Sequence, residues 1–125
     1  MSEEINLTTI VVISGILTAF FSFASSIKIL GWQKLIFETQ LEFFKKYGLN
    51  RTVMALVGFI ELFGAIALWF PSYLGIAGVL ALLATSAGAI CCHLYFDTWK
   101  DGIPAMVTLT LSSIVLYAKL MLLNV

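Results

Sequence analysis

Apolar runs of membrane-crossing length fill most of this chain, and one carries a glutamate near its centre. Thr8 to Leu30 is apolar with scattered Ser, Thr and Gly. At 1.5 Å per residue such a run crosses about 30 Å of hydrocarbon as a helix. Similar runs cover about 52–70, 73–96 and 103–123. The second contains Gly58-Phe59-Ile60-Glu61-Leu62-Phe63-Gly64-Ala65-Ile66. A charge at the middle of a membrane helix costs ~3 kcal/mol or more, so Glu61 needs a partner, a proton or a purpose.

Composition supports the membrane reading. The chain is 61% hydrophobic and 11% charged, against about 25% charged residues in a soluble domain. Its 125 residues allow a single domain, taken here as residues 1–125. Lys plus Arg and Asp plus Glu number seven each, a balance that points to no nucleic-acid partner. Glu3 and Glu4 replace the basic stretch of a signal peptide, so the first run is expected to be retained as a span. The fold expected is all-α: an integral membrane four-helix bundle in contact with the lipid bilayer.

Between the first two spans, residues 31–50 have a different character. On a helix Lys34, Glu38, Glu42 and Lys45 line one side at steps of three and four, while Trp32, Leu35, Ile36 and Phe43 share another. This pattern suits an amphipathic helix lying in the membrane interface or packed over the bundle mouth. Pro71 and Ser72 end the second span and turn the chain back. Pro104 falls in the first turn of the last span, where a missing N–H costs little. Trp99 suits an interfacial anchor.

Small residues mark the expected helix contacts. Gly15, Thr18, Ser22 and Ser25 form one small, polar face, which Lys28 extends. Lys28 is either a lysine snorkelling to the membrane edge or an inward cation. Gly58 and Gly64 flank Glu61, and Ala77, Ala81, Ala84 and Gly88 form a seam on the third span. Both sets are expected to seat neighbouring helices, because small residues let backbones approach in lipid.

Charge placement gives an orientation. Lys28, Lys34, Lys45, Lys46, Arg51 and Lys100 fall at one end of the four spans and only Lys119 at the other. The crowded end is expected to be cytoplasmic, with both termini on the opposite side. Measured from that end, Lys28 and His93 lie roughly 5 Å deep and Glu61 roughly 15 Å. Glu61 is therefore expected to be buried and bonded across the bundle to Lys28 or His93. Those three residues make either a polar clasp or a ligand pocket.

Other site signals are few. Cys91 and Cys92 are adjacent and lack Cys-x-x-Cys or zinc-site spacing, so they read as packing residues. There is no phosphate loop, Ser/His/Asp arrangement, haem motif or metal-ligand spacing. No metal is expected, and the balance favours a chain that is not an enzyme.

The order of SSIKILG (Ser25–Gly31), GFIELFGAI (Gly58–Ile66), SAGAICCHLYFD (Ser86–Asp97) and DGIPA (Asp101–Ala105) resembles the DoxX-like family of small four-helix membrane proteins. The resemblance places Lys28, Glu61 and His93 on the family's recurring polar positions. FFKKYGLN (Phe43–Asn50) is similar to the branch containing the neuronal acetylcholine-receptor chaperone. Other members resemble small subunits of thiosulfate:quinone oxidoreductase. The family is functionally mixed and implies a fold and a pocket rather than a reaction, which leaves two readings of function. One is an accessory or assembly subunit with a membrane-protein partner or a second copy. The other is a redox-linked protein holding a quinone-like or other lipophilic ligand around Glu61.

Overall fold

A computed structural model describes residues 6–123. Glu3, Glu4 and both chain ends, on which the signal-peptide and terminus readings partly rest, lie outside the described residues. Among the described residues five helices follow in order: α1 (Leu7–Leu30), α2 (Lys34–Lys46), α3 (Arg51–Ala67), α4 (Ser72–Phe96) and α5 (Ile103–Leu123), with a short 3-10 turn at Trp99–Gly102. No strand occurs among the described residues. The protein is an all-α membrane helical bundle.

Local chemistry sets the helix ends. Asn6 caps α1 by accepting a hydrogen bond from the Thr9 N–H, and Asn50 does the same for α3 through Val53. Gly31 ends α1 in the left-handed conformation at φ 68°, its N–H donating to the Ile27 carbonyl. The Phe37 ring lies within van der Waals reach of Gly31, so this turn folds α2 back against the bundle. Gln33 caps α2 through the Ile36 N–H.

Helices α1, α4 and the α5 region are each long and apolar enough to cross a membrane. Helix α3 has 17 residues, or roughly 25 Å at 1.5 Å per residue, and the apolar turn Leu68-Trp69-Phe70 prolongs it. It is joined to α2 across a bend of 113°. Helix α2 has no fully buried residue. Its charged Lys34, Glu38, Glu42, Lys45 and Lys46 are exposed, whereas Ile36, Phe37, Leu41, Phe43 and Phe44 are half-buried. Of the apolar face read from the sequence, Ile36 and Phe43 turn inward, whereas Trp32 and Leu35 are 56% and 73% exposed.

The bundle is a ring. Helix α1 packs on α3, α3 on α4, α4 on α5, and a narrower α1–α5 contact closes it. Its core is Leu17, Phe21, Ala65, Leu68, Val79, Leu82 and Val115. In lipid this core is held by close packing rather than by escape from water, since the tails outside are equally apolar. Hydroxyls add cross-links: Trp69 Nε1 donates to Thr18 Oγ1 at 2.6 Å, Thr18 donates to the Ala65 carbonyl, and Ser86 pairs with Thr108 at 2.7 Å.

Candidate functional site: two polar centres at one end of the bundle

The first centre joins α1 to α3. Lys28 Nζ lies 3.1 Å from Glu61 Oε1, and the two side chains are 10% and 8% exposed. Gly58, one turn before Glu61, makes the approach feasible. A Cβ there would sit 2.9 Å from the Lys28 Cβ and from Ile29. The contact is an ion pair rather than a directed hydrogen bond, so Glu61 Oε1 is buried with no hydrogen-bond partner. The lysine stem starts level with Gly58 and reaches one turn along α3 to Glu61.

Arg51 completes this centre from below. Its guanidinium donates to the carbonyls of Lys28 and Ile29, both at 2.7 Å. It also stacks 4.9 Å from the Phe37 ring centre. These carbonyls belong to the last turn of α1, where helix geometry leaves them without intrahelical partners and partially negative. One side chain thus fixes the end of α1, the start of α3 and the face of α2.

The second centre is the mouth of the bundle. His93 Nδ1 lies 2.6 Å from Asp97 Oδ1, one turn later, and 3.0 Å from the Tyr47 hydroxyl. Tyr47 also donates to Asp97 Oδ2 at 3.3 Å. Phe43 and Phe96 pack against this group, with ring centres 5.1 Å from His93 and 5.2 Å from Tyr47 respectively. Burial, followed by the negative charge of Asp97, pushes the Tyr47 hydroxyl far above the usual phenol range, so it remains a donor. Burial raises Asp97, but the His93 hydrogen bond and charge, the Thr98 N–H and Tyr47 outweigh it. The carboxyl therefore titrates below the ordinary range.

Of the three polar positions read from the sequence, the structure brings Lys28 and Glu61 together and assigns His93 to different partners. Tyr47 and Asp97 went unnoticed in the sequence. The four-residue step from His93 to Asp97 was a usable signal, whereas Tyr47 reaches them only through the fold. Gly64 does seat a neighbour: a Cβ there would meet Leu82 at 2.6 Å and the Gly78 carbonyl at 2.8 Å.

The seam on α4 is placed differently from expectation. Ala77, Ala84 and Gly88 are exposed and Ala81 is half-buried, while Gly75, Gly78, Val79, Leu82 and Ser86 face the core. A Cβ on Gly88 would meet nothing within 4 Å. Two residues of offset turn a helix by roughly 200°, so the bundle uses nearly the opposite face. Gly78 lies against Ala67 and the Leu68 N–H, and Gly75 against the Phe70 carbonyl. Lys119 Nζ donates to that same carbonyl at 3.2 Å.

Cys92 is half-buried and Cys91 exposed, both as free thiols. Two surface concavities, one along Thr39–Lys46 and one along Leu109–Tyr117, have none of Lys28, Glu61 and His93 in their lining, although Phe43 of the first packs on His93.

The fold and its buried ion pair define a class: small, multi-helix integral membrane proteins with charged residues enclosed between spans. The chain belongs to the DoxX-like family, whose model matches residues 12–115. Searches of curated proteins and of solved structures return no match.

Proposed function

We propose that this DoxX-like protein is a non-catalytic accessory or assembly subunit that grips a membrane partner through the outer face of α4. The observation carrying this reading is the outward placement of Ala77, Ala84 and Gly88, with Ala81 half-buried between them. Small residues on a span let a second helix approach closely in lipid, whereas against lipid tails they give no such packing. The enclosed charges support the same reading. Lys28 and Glu61 engage one another, and Gly58 is packed against the lysine stem, which suits a clasp better than a head-group pocket. The quinone-like ligand reading rests on family resemblance.

In this reading α3 is a fourth span and α2 lies in the interface. The end bearing Lys28, Lys34, Lys45, Lys46, Arg51 and Lys100 is cytoplasmic, and both termini face away from it. The chain should co-purify with a near-stoichiometric membrane protein, or with a second copy of itself, from gently solubilised membranes. The yield should not change with Glu61→Gln, provided that variant folds. Recovery of a lone chain with a lipophilic molecule, lost in Lys28→Met, would replace this reading with the ligand one.

A further inference from the structure

We propose that His93, Asp97 and Asp101 form a divalent-metal site at the mouth of the bundle, steadied by Tyr47. This is independent of the accessory role. One ligand atom from each of the three residues lies within 4.8 Å of the others. His93 lies in the last turn of α4, Asp97 caps that helix and Asp101 sits in the 3-10 turn after it, and the chain is shaped to bring these together. Gly102 is buried, and a Cβ there would lie 3.4 Å from the His93 Cβ. The turn thus closes on the histidine and carries Asp101 to it.

The donor chemistry fits a borderline first-row cation such as Zn2+, which takes imidazole nitrogen and carboxylate oxygen at about 2.0–2.2 Å. Tetrahedral donors around such an ion are roughly 3.4 Å apart. His93 Nδ1 and Asp97 Oδ1 are closer than that, at 2.6 Å, and Asp101 is exposed and tied only by a 3.4 Å bond from Thr98 Oγ1. Opening one contact and closing the other requires side-chain motion alone. Tyr47 donates to Asp97 Oδ2, an outer hydrogen bond of the kind that fixes a metal-binding carboxylate. A His93–Asp97 bond alone would dock α2. The second carboxylate, Asp101, accepts only a long bond from Thr98 Oγ1 at 3.4 Å and stands near enough to Asp97 that a cation between them would relieve their repulsion. Lys46 reaches within 4.0 Å of Asp97 but is half exposed, so it can yield its place.

Zn2+ binding to the full chain, stripped with chelator and held in nanodiscs of zwitterionic lipid, tests the site by equilibrium dialysis with elemental mass spectrometry. The expected result is close to one Zn2+ per chain. Asp101→Asn should weaken binding at least tenfold with unchanged helical circular dichroism, and Asp101 is exposed enough for that variant to fold. His93→Gln should weaken it further, Glu42→Gln should leave it alone, and Lys46→Gln should tighten it a few-fold. Absence of stoichiometric binding, or binding indifferent to Asp101→Asn, would overturn the proposal. So would binding lost only on replacing Cys91 and Cys92, since the thiols would then be the ligands.

Discussion

Removing one member of the Lys28–Glu61 pair should destabilise the bundle far more than removing both. Lys28→Met keeps most of the stem and deletes the ammonium, leaving the Glu61 carboxylate enclosed with no cation. Its Oε1 has no hydrogen-bond donor to fall back on. Breaking a buried pair from one side costs about 3–5 kcal/mol, whereas replacing the whole pair by apolar groups is neutral or gains about 1–4. A charged side chain at the middle of a membrane helix costs ~3 kcal/mol on insertion scales, which sets the same range. With both side chains about nine-tenths buried, water does little to soften the loss. Lys28→Met and Glu61→Met should each lose about 3 kcal/mol, or roughly 150-fold in the ratio of folded to unfolded chain. The double variant should lose less than either, giving a coupling energy of about 3–6 kcal/mol. Reversible unfolding in mixed micelles, followed by helical circular dichroism, measures all four corners of the cycle. Losses that add within about 0.5 kcal/mol, the behaviour of independent sites, would refute the clasp.

Three further outcomes follow from the geometry. Gly64→Ala drives a methyl into Leu82 and the Gly78 carbonyl and should cost about 1–3 kcal/mol by overpacking. Gly88→Ala meets nothing and should leave the isolated chain unchanged or up to ~1 kcal/mol more stable through helix propensity; mixed-micelle unfolding compares the two. Arg51→Lys gives up two forked bonds to the α1 carbonyls and the stacking on Phe37. It should cost about 1.5–3 kcal/mol, read as a lowered unfolding midpoint. Asp97 titrates lower folded than unfolded, so its contribution is complete above the ordinary carboxylate pKa of about 3.9 and is lost as pH falls through the lower folded value. In chelator, the stability gap between wild type and Asp97→Asn should be present at pH 5, above the ordinary carboxylate pKa of about 3.9, and should close as pH falls below that value.

How far the sequence reached depends on which physical signal each feature leaves. Span length and charge are strong signals, so the runs around α1, α4 and α5 and the break at Gly31 were legible, as was the amphipathic pattern of α2. The meeting of Lys28 and Glu61 could be anticipated because a buried carboxylate needs a counter-charge and few are within reach. The choice between Lys28 and His93 could not, since it depends on which helices adjoin. His93 turned to Asp97 and Tyr47, and Tyr47 stands 46 positions away with no periodic link to it. Which face of α4 turns into the bundle was hidden for a different reason. Ala77, Ala81, Ala84 and Gly88 do share a face, but periodicity does not say which face turns inward. In a soluble helix the apolar side decides that, whereas in lipid both sides are apolar and only the fit against Leu68 and Ala67 distinguishes Gly78 from Gly88.

Site-specific photo-crosslinking from the outer face of α4 is the most direct test of the accessory role. A benzophenone side chain in place of Ala84 stands on that face; one in place of Phe63, itself 45% exposed on α3, serves as the comparison. On illumination in native membranes, Ala84 should give one discrete protein adduct, either a partner or a second copy of the chain, and Phe63 should give lipid adducts alone. Lipid adducts alone from both positions would contradict the account.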